Sequence, residues 1–259
     1  MAGRLDGKVA IVTGSESGIG QAIAVEFARE GADVAVTYFH DLAGADETRR
    51  QIKEAGRRAI VMQVDVREPD AVAHLFSNTE EQLGAPFILV NNAGVDSSGK
   101  HVVDMTVEEW DERIRTNLYG PFYCCQEFIA ARRRSGGHGK IINITSVHED
   151  IPRAGAAAYC ASKGALRNLT RCLTLELAGD RINVNNIAPG MIKTPMNQEA
   201  LDDPKVMEEQ VQSIPWNRAG EAWEIAKLAL YLASEDANYA SGQTFTLDGG
   251  LMMNQGQGA

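Results

Sequence analysis

The chain has 259 residues, of which 44% are hydrophobic, so it can bury a full core, and an α/β sheet of this length commonly forms one domain. Its 35 acidic and 25 basic side chains give a net charge of −10, which argues against a nucleic acid or an anionic membrane as a partner. Without a long apolar run or a signal-peptide pattern, a cytoplasmic protein is expected. The four cysteines lack metal-ligand spacing, so we predict no metal site.

Short β-branched apolar runs alternate with segments of helical spacing along the chain. Strands are predicted at KVAIVTG, DVAVTY, RAIVMQVDV, PFILVNNAG, GKIINITS, INVNNIAPG and QTFTLDGG. Helices are predicted between them, including a long one at VEEWDERIRTNLYGPFYCCQEFIAARRR and one from Glu221 to Ser234. This alternation predicts an α/β fold with parallel strands joined by right-handed crossovers, in a single domain that spans residues 1–259.

One segment does not fit the alternation. Residues 191–215 contain three prolines and scattered charges, and they are too long for a routine connection. Long connections of this kind often close over a site. We therefore predict that this segment is irregular and forms a substrate lid.

A glycine-rich turn, TGSESGIG at residues 13–20, follows the first strand and opens the first helix. Glycines permit the tight turn and a close approach of the backbone to a pyrophosphate, and the free N–H groups at the helix start attract negative charge. The spacing is G-x3-G-x-G and not the commoner G-x-G-x-x-G. In this context the turn predicts a dinucleotide-binding site.

A second motif predicts proton transfer. Tyr159 and Lys163 are four residues apart in a helical segment, so they share one face about a turn apart. Ser146 ends the preceding strand, which lets its hydroxyl converge with the phenol and the ammonium. We expect Lys163 to lower the pKa of the phenol, which is otherwise about 10, and to make Tyr159 an acid and base near neutral pH.

Several motifs together carry a resemblance to a known family. They are the glycine turn, Asp65-Val66, Asn91-Asn92-Ala93-Gly94, Asn117, Ser146, Tyr159-x3-Lys163 and Pro189-Gly190. From Leu5 to about Leu251 the chain resembles the short-chain dehydrogenases/reductases. The resemblance implies a Rossmann-type doubly wound parallel sheet of about seven strands and a hydride transfer that uses NAD or NADP.

The resemblance also implies roles for individual residues. Tyr159 exchanges the proton of the substrate hydroxyl, Ser146 binds the same oxygen, Lys163 also binds the nicotinamide ribose, and Asn117 holds a water that relays protons. The catalytic residues are thus Asn117, Ser146, Tyr159 and Lys163. The implied cofactor-binding residues are Gly14, Ser17, Gly18, Ile19, Gly20, Tyr38, Asp65, Val66, Asn91, Ala93, Gly94, Tyr159, Lys163, Pro189, Gly190, Ile192 and Thr194.

The end of the second strand bears on the choice between NAD and NADP, since an acid there binds the ribose 2′-hydroxyl and an arginine accepts a 2′-phosphate. Tyr38 stands at that position, with no base beside it. Glu16 places negative charge in the glycine turn, and Asp41 lies further along. We favour NAD, with His40 as a weak contact for a phosphate.

Within the family, the chain resembles the bacterial glucose 1-dehydrogenases. The shared residues are Ser146-Val147-His148-Glu149, Ile151-Pro152, Asp96 after the NNAG motif and Thr194-Pro195-Met196-Asn197. A sugar presents several hydroxyls, so its pocket needs polar groups. We assign the substrate contacts to Asp96, Ser146, His148, Tyr159 and Asn197, although His148 and Glu149 could instead order their loop. The expected reaction oxidises an aldose at C1 to a lactone.

Two alternatives remain. The same residues could reduce a ketone, either a 3-oxoacyl thioester or a small carbonyl compound. The chain could also bind the nucleotide as a regulator without catalysis, but such proteins usually lose the tyrosine or lysine that are present here.

One apolar stripe and the family resemblance bear on the oligomeric state. Leu166, Leu169, Leu173 and Leu177 form a helical stripe that either the core or an interface could bury. The family resemblance implies a homotetramer in which the last strand and the tail GLMMNQGQGA pack on a neighbour.

Overall fold

Parallel strands form the centre of the molecule. The computed structural model describes residues 3–254, and within them the main sheet has seven parallel strands in the order β3-β2-β1-β4-β5-β6-β9. The strands are β1 (Val9–Val12), β2 (Asp33–Tyr38), β3 (Ala59–Gln63), β4 (Ile88–Asn91), β5 (Gly139–Ile144), β6 (Ile182–Pro189) and β9 (Thr244–Leu247). A short parallel pair, β7 (Ile192–Lys193) with β8 (Gly220–Glu221), lies apart from this sheet. The predicted sheet is confirmed.

Helices cover both faces of the sheet. The helices are α1 (Gly18–Arg29), α2 (Leu42–Glu54), α3 (Pro69–Gln82), α4 (Val107–Ile114), α5 (Gly120–Arg134), α6 (Ala157–Glu176), α7 (Gln198–Asp202), α8 (Pro204–Val211) and α9 (Ala222–Ala233). One core cluster packs α1, α2 and α9 against the sheet, and a second packs α3, α5 and α6 on the other face. Because both faces are covered, central strands such as β1, with the sequence VAIV, are apolar throughout.

Local sequence signals explain where several helices begin. Pro69 opens α3, where its missing N–H is not needed. Thr106 and Glu109 form a capping box at the start of α4, in which each side chain accepts the other residue's backbone N–H. Between α4 and α5 the chain makes a π-helical turn, Arg115–Tyr119, which contains Asn117.

The predicted lid segment is more regular than the sequence suggested. It contains α7 and α8 in place of irregular chain. Pro204 stands in the first turn of α8, and the Asp203 side chain accepts a hydrogen bond from Lys205 N at 2.9 Å. Proline and an aspartate cap are helix-start signals, so this helix could have been recognised.

The leucine stripe of α6 belongs to the core. Leu166, Leu173 and Leu177 are at most 8% exposed, and Leu169 packs partly buried against the same cluster. The tail beyond residue 254, for which a contact with a neighbouring subunit was expected, lies outside the described residues.

The strand order predicts a crevice between β1 and β4, at the carboxyl ends of the strands. The chain moves outward from β1 to β2 and β3, and then returns to the other side of β1 with β4. Ligands of open α/β sheets bind at such a reversal, beyond the carboxyl ends of the strands.

None of the helices between residues 3 and 254 is both long and apolar enough to cross a membrane.

Candidate active site

A cavity of about 600 Å³ opens beyond the carboxyl ends of the strands from β1 to β6. The predicted cofactor-binding residues that line it are Gly14, Ser17, Gly18, Ile19, Tyr38, Asp65, Val66, Ala93, Gly94, Tyr159, Lys163, Pro189, Gly190, Ile192 and Thr194. Gly20 and Asn91 of the same prediction lie outside the lining. Of the predicted catalytic and substrate residues, Ser146, Tyr159, Lys163 and Asn197 line the cavity, whereas Asn117, Asp96 and His148 do not.

The glycine turn has the conformation that its sequence requires. Gly14 and Gly18 have positive φ values of 60° and 56°, which side chains rarely adopt. Ser17 is the N-cap residue of α1 but makes no capping hydrogen bond with its side chain, and the first turn has no acidic residue. The N–H groups at the helix start therefore face the cavity without a side-chain partner, as an anion site needs.

Gly20 lies outside the cavity lining and allows close packing next to it. A Cβ atom on Gly20 would lie 2.2 Å from Gly14 O and 2.4 Å from Asn92 Nδ2. Asn92 in turn donates to Gly14 O at 2.6 Å. The absence of a side chain at Gly20 thus lets α1 pack closely against β1 and the strand-end loop of β4.

Ser146, Tyr159 and Lys163 converge at the inner end of the cavity. Ser146 follows β5, and its hydroxyl accepts a hydrogen bond from His148 N at 3.2 Å. Tyr159 and Lys163 lie on α6 and are 8% and 5% exposed. Lys163 Nζ donates to Ile144 O at 2.9 Å and lies 5.6 Å from the centroid of the Tyr159 ring.

Burial is the largest influence on the pKa values of Tyr159 and Lys163. Burial raises the pKa of Tyr159 to about 12, although the Ser146 hydroxyl opposes the shift by stabilising the phenolate. Burial also lowers the pKa of Lys163 to about 8. The pKa of the phenol is therefore raised and not lowered as predicted, because lost solvation is the largest effect on it. Near neutral pH Tyr159 keeps its proton and is set up as a donor.

Asn117 contacts α6 beside Lys163, through Ser162, and is 1% exposed. Its side chain is fully engaged: Oδ1 accepts from Val95 N at 2.8 Å, and Nδ2 donates to Val95 O at 2.9 Å and to Ser162 Oγ at 3.3 Å. These bonds fix the loop after β4 against α6. The water-holding role stays a prediction.

A buried polar chain supports the site from below and includes Asn91. Asn91 Nδ2 donates to Asn143 Oδ1 at 2.8 Å, and Asn143 Nδ2 donates to Thr170 Oγ1 at 2.8 Å. Thr170 Oγ1 then donates to Asn186 Oδ1 at 2.6 Å, and Asn186 Nδ2 donates to Thr244 Oγ1 at 3.1 Å. The Asn91 side chain thus joins β4 to β5 and does not reach the cavity, where its neighbour Asn92 stands in the wall.

The outer end of the cavity lies beyond β2 and β3. Asp65 forms a two-pronged ion pair with Arg67, at distances of 2.6 to 3.0 Å, and this pair lowers the pKa of the Asp65 carboxyl. The Arg67 guanidinium also lies 5.3 Å from the centroid of the Phe39 ring. Sequence reasoning missed Arg67 and Phe39. The basic residue directly after Asp65-Val66 was the available signal for Arg67.

Glu16 lines the same outer end of the cavity. Burial raises the pKa of its carboxyl, while the backbone N–H groups of Glu16 and Phe39 lower it. The negative charge of Asp41 acts in the same direction as burial, and His40 acts against it. Two carboxyl groups and one histidine therefore lie together at this end of the cavity.

Polar side chains lie near Tyr159 but outside the cavity lining. His148 Nδ1 bonds Ile151 O at 2.9 Å, and its ring centroid lies 6.1 Å from that of Tyr159. Asp96 lies 3.9 Å from Arg153, a residue that sequence reasoning did not assign to the substrate. Both charges act on the Tyr159 phenol.

Asn197 stands in the cavity wall at the start of the lid segment. Its Nδ2 donates to Ile192 O at 2.7 Å. This bond leaves the amide oxygen as the group that Asn197 could offer to a ligand. Among residues 3–254 no group of three or more His, Cys, Asp or Glu side chains is placed to hold a metal ion.

The parallel sheet, the glycine turn and the cavity at the strand reversal together define a dinucleotide-binding α/β protein. The family model described as Enoyl-(Acyl carrier protein) reductase matches residues 13–252. The sequence is 42% identical over 248 residues to the uncharacterized oxidoreductase YohF of Escherichia coli (strain K12), with 95% of this chain and 96% of the relative covered. It is 36% identical over 253 residues to glucose 1-dehydrogenase 2 of Bacillus subtilis (strain 168), with 98% of both covered.

The solved structure of acetoin dehydrogenase from Enterobacter cloacae agrees with a TM-score of 0.88 at 39% identity, covering 97% of this chain and 98% of that one. The chain belongs to the short-chain dehydrogenase/reductase family and is an NAD(P)-dependent oxidoreductase.

The residues present fit a nicotinamide dinucleotide. The turn at Gly14 and Gly18 with the open helix start can hold a pyrophosphate. Gly94 also lines the cavity, and a Cβ on it would lie 3.7 Å from Lys163 Nζ. The dinucleotide, when bound, supplies or accepts the hydride. The chain would supply the binding surface, and Tyr159 is the predicted proton-transfer group.

Proposed function

We propose that the chain interconverts an alcohol and a carbonyl of a small polyhydroxylated compound, and that the first candidate reaction oxidises an aldose at C1 to a lactone. The observation that carries this proposal is the set of polar groups near Tyr159, namely Asp96, Arg153 and His148. A substrate with several hydroxyls offers donors and acceptors to all three. The similarity to glucose 1-dehydrogenase 2 supports a sugar.

Each of the proposed catalytic residues has a separate role. The Tyr159 phenol gives its proton to a carbonyl oxygen in reduction and takes it back in oxidation. The Ser146 hydroxyl binds the same oxygen as charge develops on it. Lys163 lies below the phenol, where its ammonium can bind ribose hydroxyls, and Asn117 holds the loop that carries Val95.

The second candidate is a small hydroxyketone. The raised pKa of Tyr159 suits proton donation to a carbonyl, and one similar protein of known structure, at 39% identity, is an acetoin dehydrogenase. The same site would then reduce a ketone or a diketone near neutral pH. A longer acyl thioester is a weaker form of this candidate, because the acidic chain does not favour an acidic carrier protein.

A NADH-absorbance screen over aldoses, sugar acids, acetoin, diacetyl and simple ketones tests the proposal, with Tyr159→Phe as the variant and Tyr239→Phe, a fully exposed position, as the control. We expect Tyr159→Phe to lower kcat by at least about a thousandfold while NADH still binds, since only the proton-transfer group is removed. Turnover by Tyr159→Phe within about tenfold of wild type would reject the assignment. NADH binding without turnover of any compound would support the regulator instead.

We also propose that NAD is preferred over NADP. The support is the pair of acids, Glu16 and Asp41, at the outer end of the cavity, because a 2′-phosphate beside two carboxylates is repelled. We expect Glu16→Gln to bind NADPH more tightly than wild type does, by about three- to tenfold, while NADH binding changes little. If both nucleotides gain equally, Glu16 does not select between them.

Residues 191–215 are proposed as the lid. Its first residues, Ile192, Thr194 and Asn197, line the cavity, while α8 carries its polar side chains on the surface. Closure over the nucleotide would exclude water from the reacting atoms.

A homotetramer is proposed for the assembly. Large apolar side chains are exposed along the stretch from Val102 to Phe122, including Val103, Val107 and Trp110. Exposed apolar patches of this kind mark contacts between proteins. Light scattering should give about four times the mass of one 28.0 kDa chain.

A further inference from the structure

Glu149 is a buried carboxylate directly behind the catalytic residues. Its side chain is 1% exposed, and neither carboxyl oxygen has a hydrogen-bond partner among the described residues. The hydroxyl groups of Thr145 and Thr244 face the carboxyl but do not form hydrogen bonds of good geometry. A buried ionisable group without such bonds is costly, so its presence needs an explanation.

Arg167 is the cation that lies next to Glu149. Arg167 Nε is 3.6 Å from Glu149 Oε1, and the guanidinium also pairs with the carboxylate of Asp150. Arg167 follows Tyr159 and Lys163 at four-residue intervals on α6, so the three side chains share one helix face. The arginine therefore ties the turn after Ser146 to the helix that carries the other catalytic residues.

Close backbone packing strengthens this connection. The short 3₁₀ turn Val147–Glu149 begins with Ser146 as its N-cap. A Cβ on Gly164 would lie 3.6 Å from Glu149 O, in ordinary contact. The turn thus rests on α6 immediately beside Lys163, with the Glu149 side chain between the turn and the sheet.

Three ionisable groups face the Lys163 ammonium: Tyr159 on the same helix, Asp96 on the loop after β4, and Glu149 on the 3₁₀ turn. Glu149 and Asp96 both raise the pKa of Lys163 against the effect of burial, and Glu149 has the larger effect. Asp96 is 41% exposed, so solvent and salt screen it more than they screen Glu149.

We propose that Glu149, held by Arg167, is a positioning residue that keeps the Lys163 ammonium charged and fixes the Ser146 turn against α6. This inference rests on the proposed function, in which charged Lys163 binds the nicotinamide ribose. Glu149 touches neither the cavity wall nor the reacting atoms, and it acts through Lys163.

The sign of the effect follows from the charges. Removing a negative charge near an ammonium lowers the pKa of that ammonium, so Lys163 loses its proton at a lower pH. Nucleotide affinity that depends on the charged lysine is then lost earlier as the pH rises. Burial raises the pKa of Glu149 itself, while the Arg167 guanidinium favours the charged carboxylate on which the proposal depends.

The test measures NADH affinity by nicotinamide fluorescence between pH 6 and 10 for wild type, Glu149→Gln, Glu149→Asp and Asp150→Asn. For wild type we expect the affinity to weaken as the pH passes the Lys163 pKa of about 8. For Glu149→Gln the midpoint should fall by about 0.7 pH unit, which makes binding about fivefold weaker than wild type at pH 9 and leaves it equal at pH 6.5. Glu149→Asp keeps the charge and should keep the wild-type midpoint. Asp150→Asn, its exposed neighbour, should also keep it.

Several outcomes separate the inference from the function on which it rests. Equal midpoints for wild type and Glu149→Gln, or a wild-type affinity that does not depend on pH, would overturn the inference. An equal loss of affinity at every pH would also overturn it, since that would indicate a structural role alone. If Glu149→Gln does not fold, Glu149→Met removes the same charge without an unpaired polar group and must show the same shift. Failure of wild type to bind NADH at any pH would instead reject the proposed function.

Discussion

Replacing Gly20 by alanine tests whether close packing of α1 forms the nucleotide site. The new Cβ would lie 2.2 Å from Gly14 O and 2.4 Å from Asn92 Nδ2, whereas ordinary contacts are about 3.5 Å. The helix start must move by about 1 Å, and because the obstacle includes backbone, the cost should be near the upper end of overpacking, about 3 kcal/mol. Since an alanine in a helix is otherwise favourable by about 0.5 to 1 kcal/mol, a measured loss identifies the clash.

Thermal unfolding and NADH titration measure the two consequences. For a chain of this size about 3 kcal/mol corresponds to a fall in Tm of roughly 6 to 12 °C. Displacement of the N–H groups at the helix start should weaken NADH binding by at least about tenfold. Gly179→Ala is the matched control, because no described atom lies within 4 Å of its added Cβ. A Gly20→Ala protein with the Tm and NADH affinity of this control would refute the role given to Gly20.

Three further predictions concern the core, the thiols and the lid. Thr170→Val keeps the shape of the side chain but leaves Asn143 Nδ2 and Asn186 Oδ1 unpaired. Urea denaturation should therefore show that the free energy of unfolding falls by about 2 to 4 kcal/mol. A change below about 0.5 kcal/mol would contradict the chain of hydrogen bonds. Burial raises the pKa of Cys125 to about 12 and that of Cys124 above its ordinary range. A chromogenic disulfide reagent should therefore react quickly with the exposed Cys172, and with Cys124 and Cys125 only after unfolding. Fast reaction of all the thiols in the folded protein would contradict the burial of Cys124 and Cys125. Saturating NADH should slow tryptic cleavage after Lys205 in α8 but not after Arg181, and equal protection at both sites would count against a lid.

The strands and the convergence of Ser146, Tyr159 and Lys163 were predictable because their signals are local. A central parallel strand such as VAIV is apolar on both faces whatever surrounds it. The glycine turn and the Tyr159-x3-Lys163 spacing carry their geometry in a few neighbouring residues. The position of Ser146 then followed from the end of β5, and the structure brings all three side chains together.

The remaining features depend on contacts between distant segments. Nothing local to Asn91 shows that its amide binds Asn143 on the next strand. Lys140 lies in β5 and is 1% exposed, held by Asn183 and Asn238, although a lysine is usually taken for a surface residue. The pKa of Tyr159 was misjudged for the same reason, since the spacing to Lys163 is local but burial is a property of the whole fold.

The π-helical turn at Arg115–Tyr119 makes the site sensitive to chain length. A π turn holds one residue more than an α turn over the same helical advance, and Asn117 reaches Val95 and Ser162 from within it. Deleting one residue there would let α4 and α5 merge into a regular helix while turning Asn117 by about 100° away from its partners. The helix would survive such a deletion and the loop after β4 would lose its anchor, so in this stretch the number of residues matters as much as their identity.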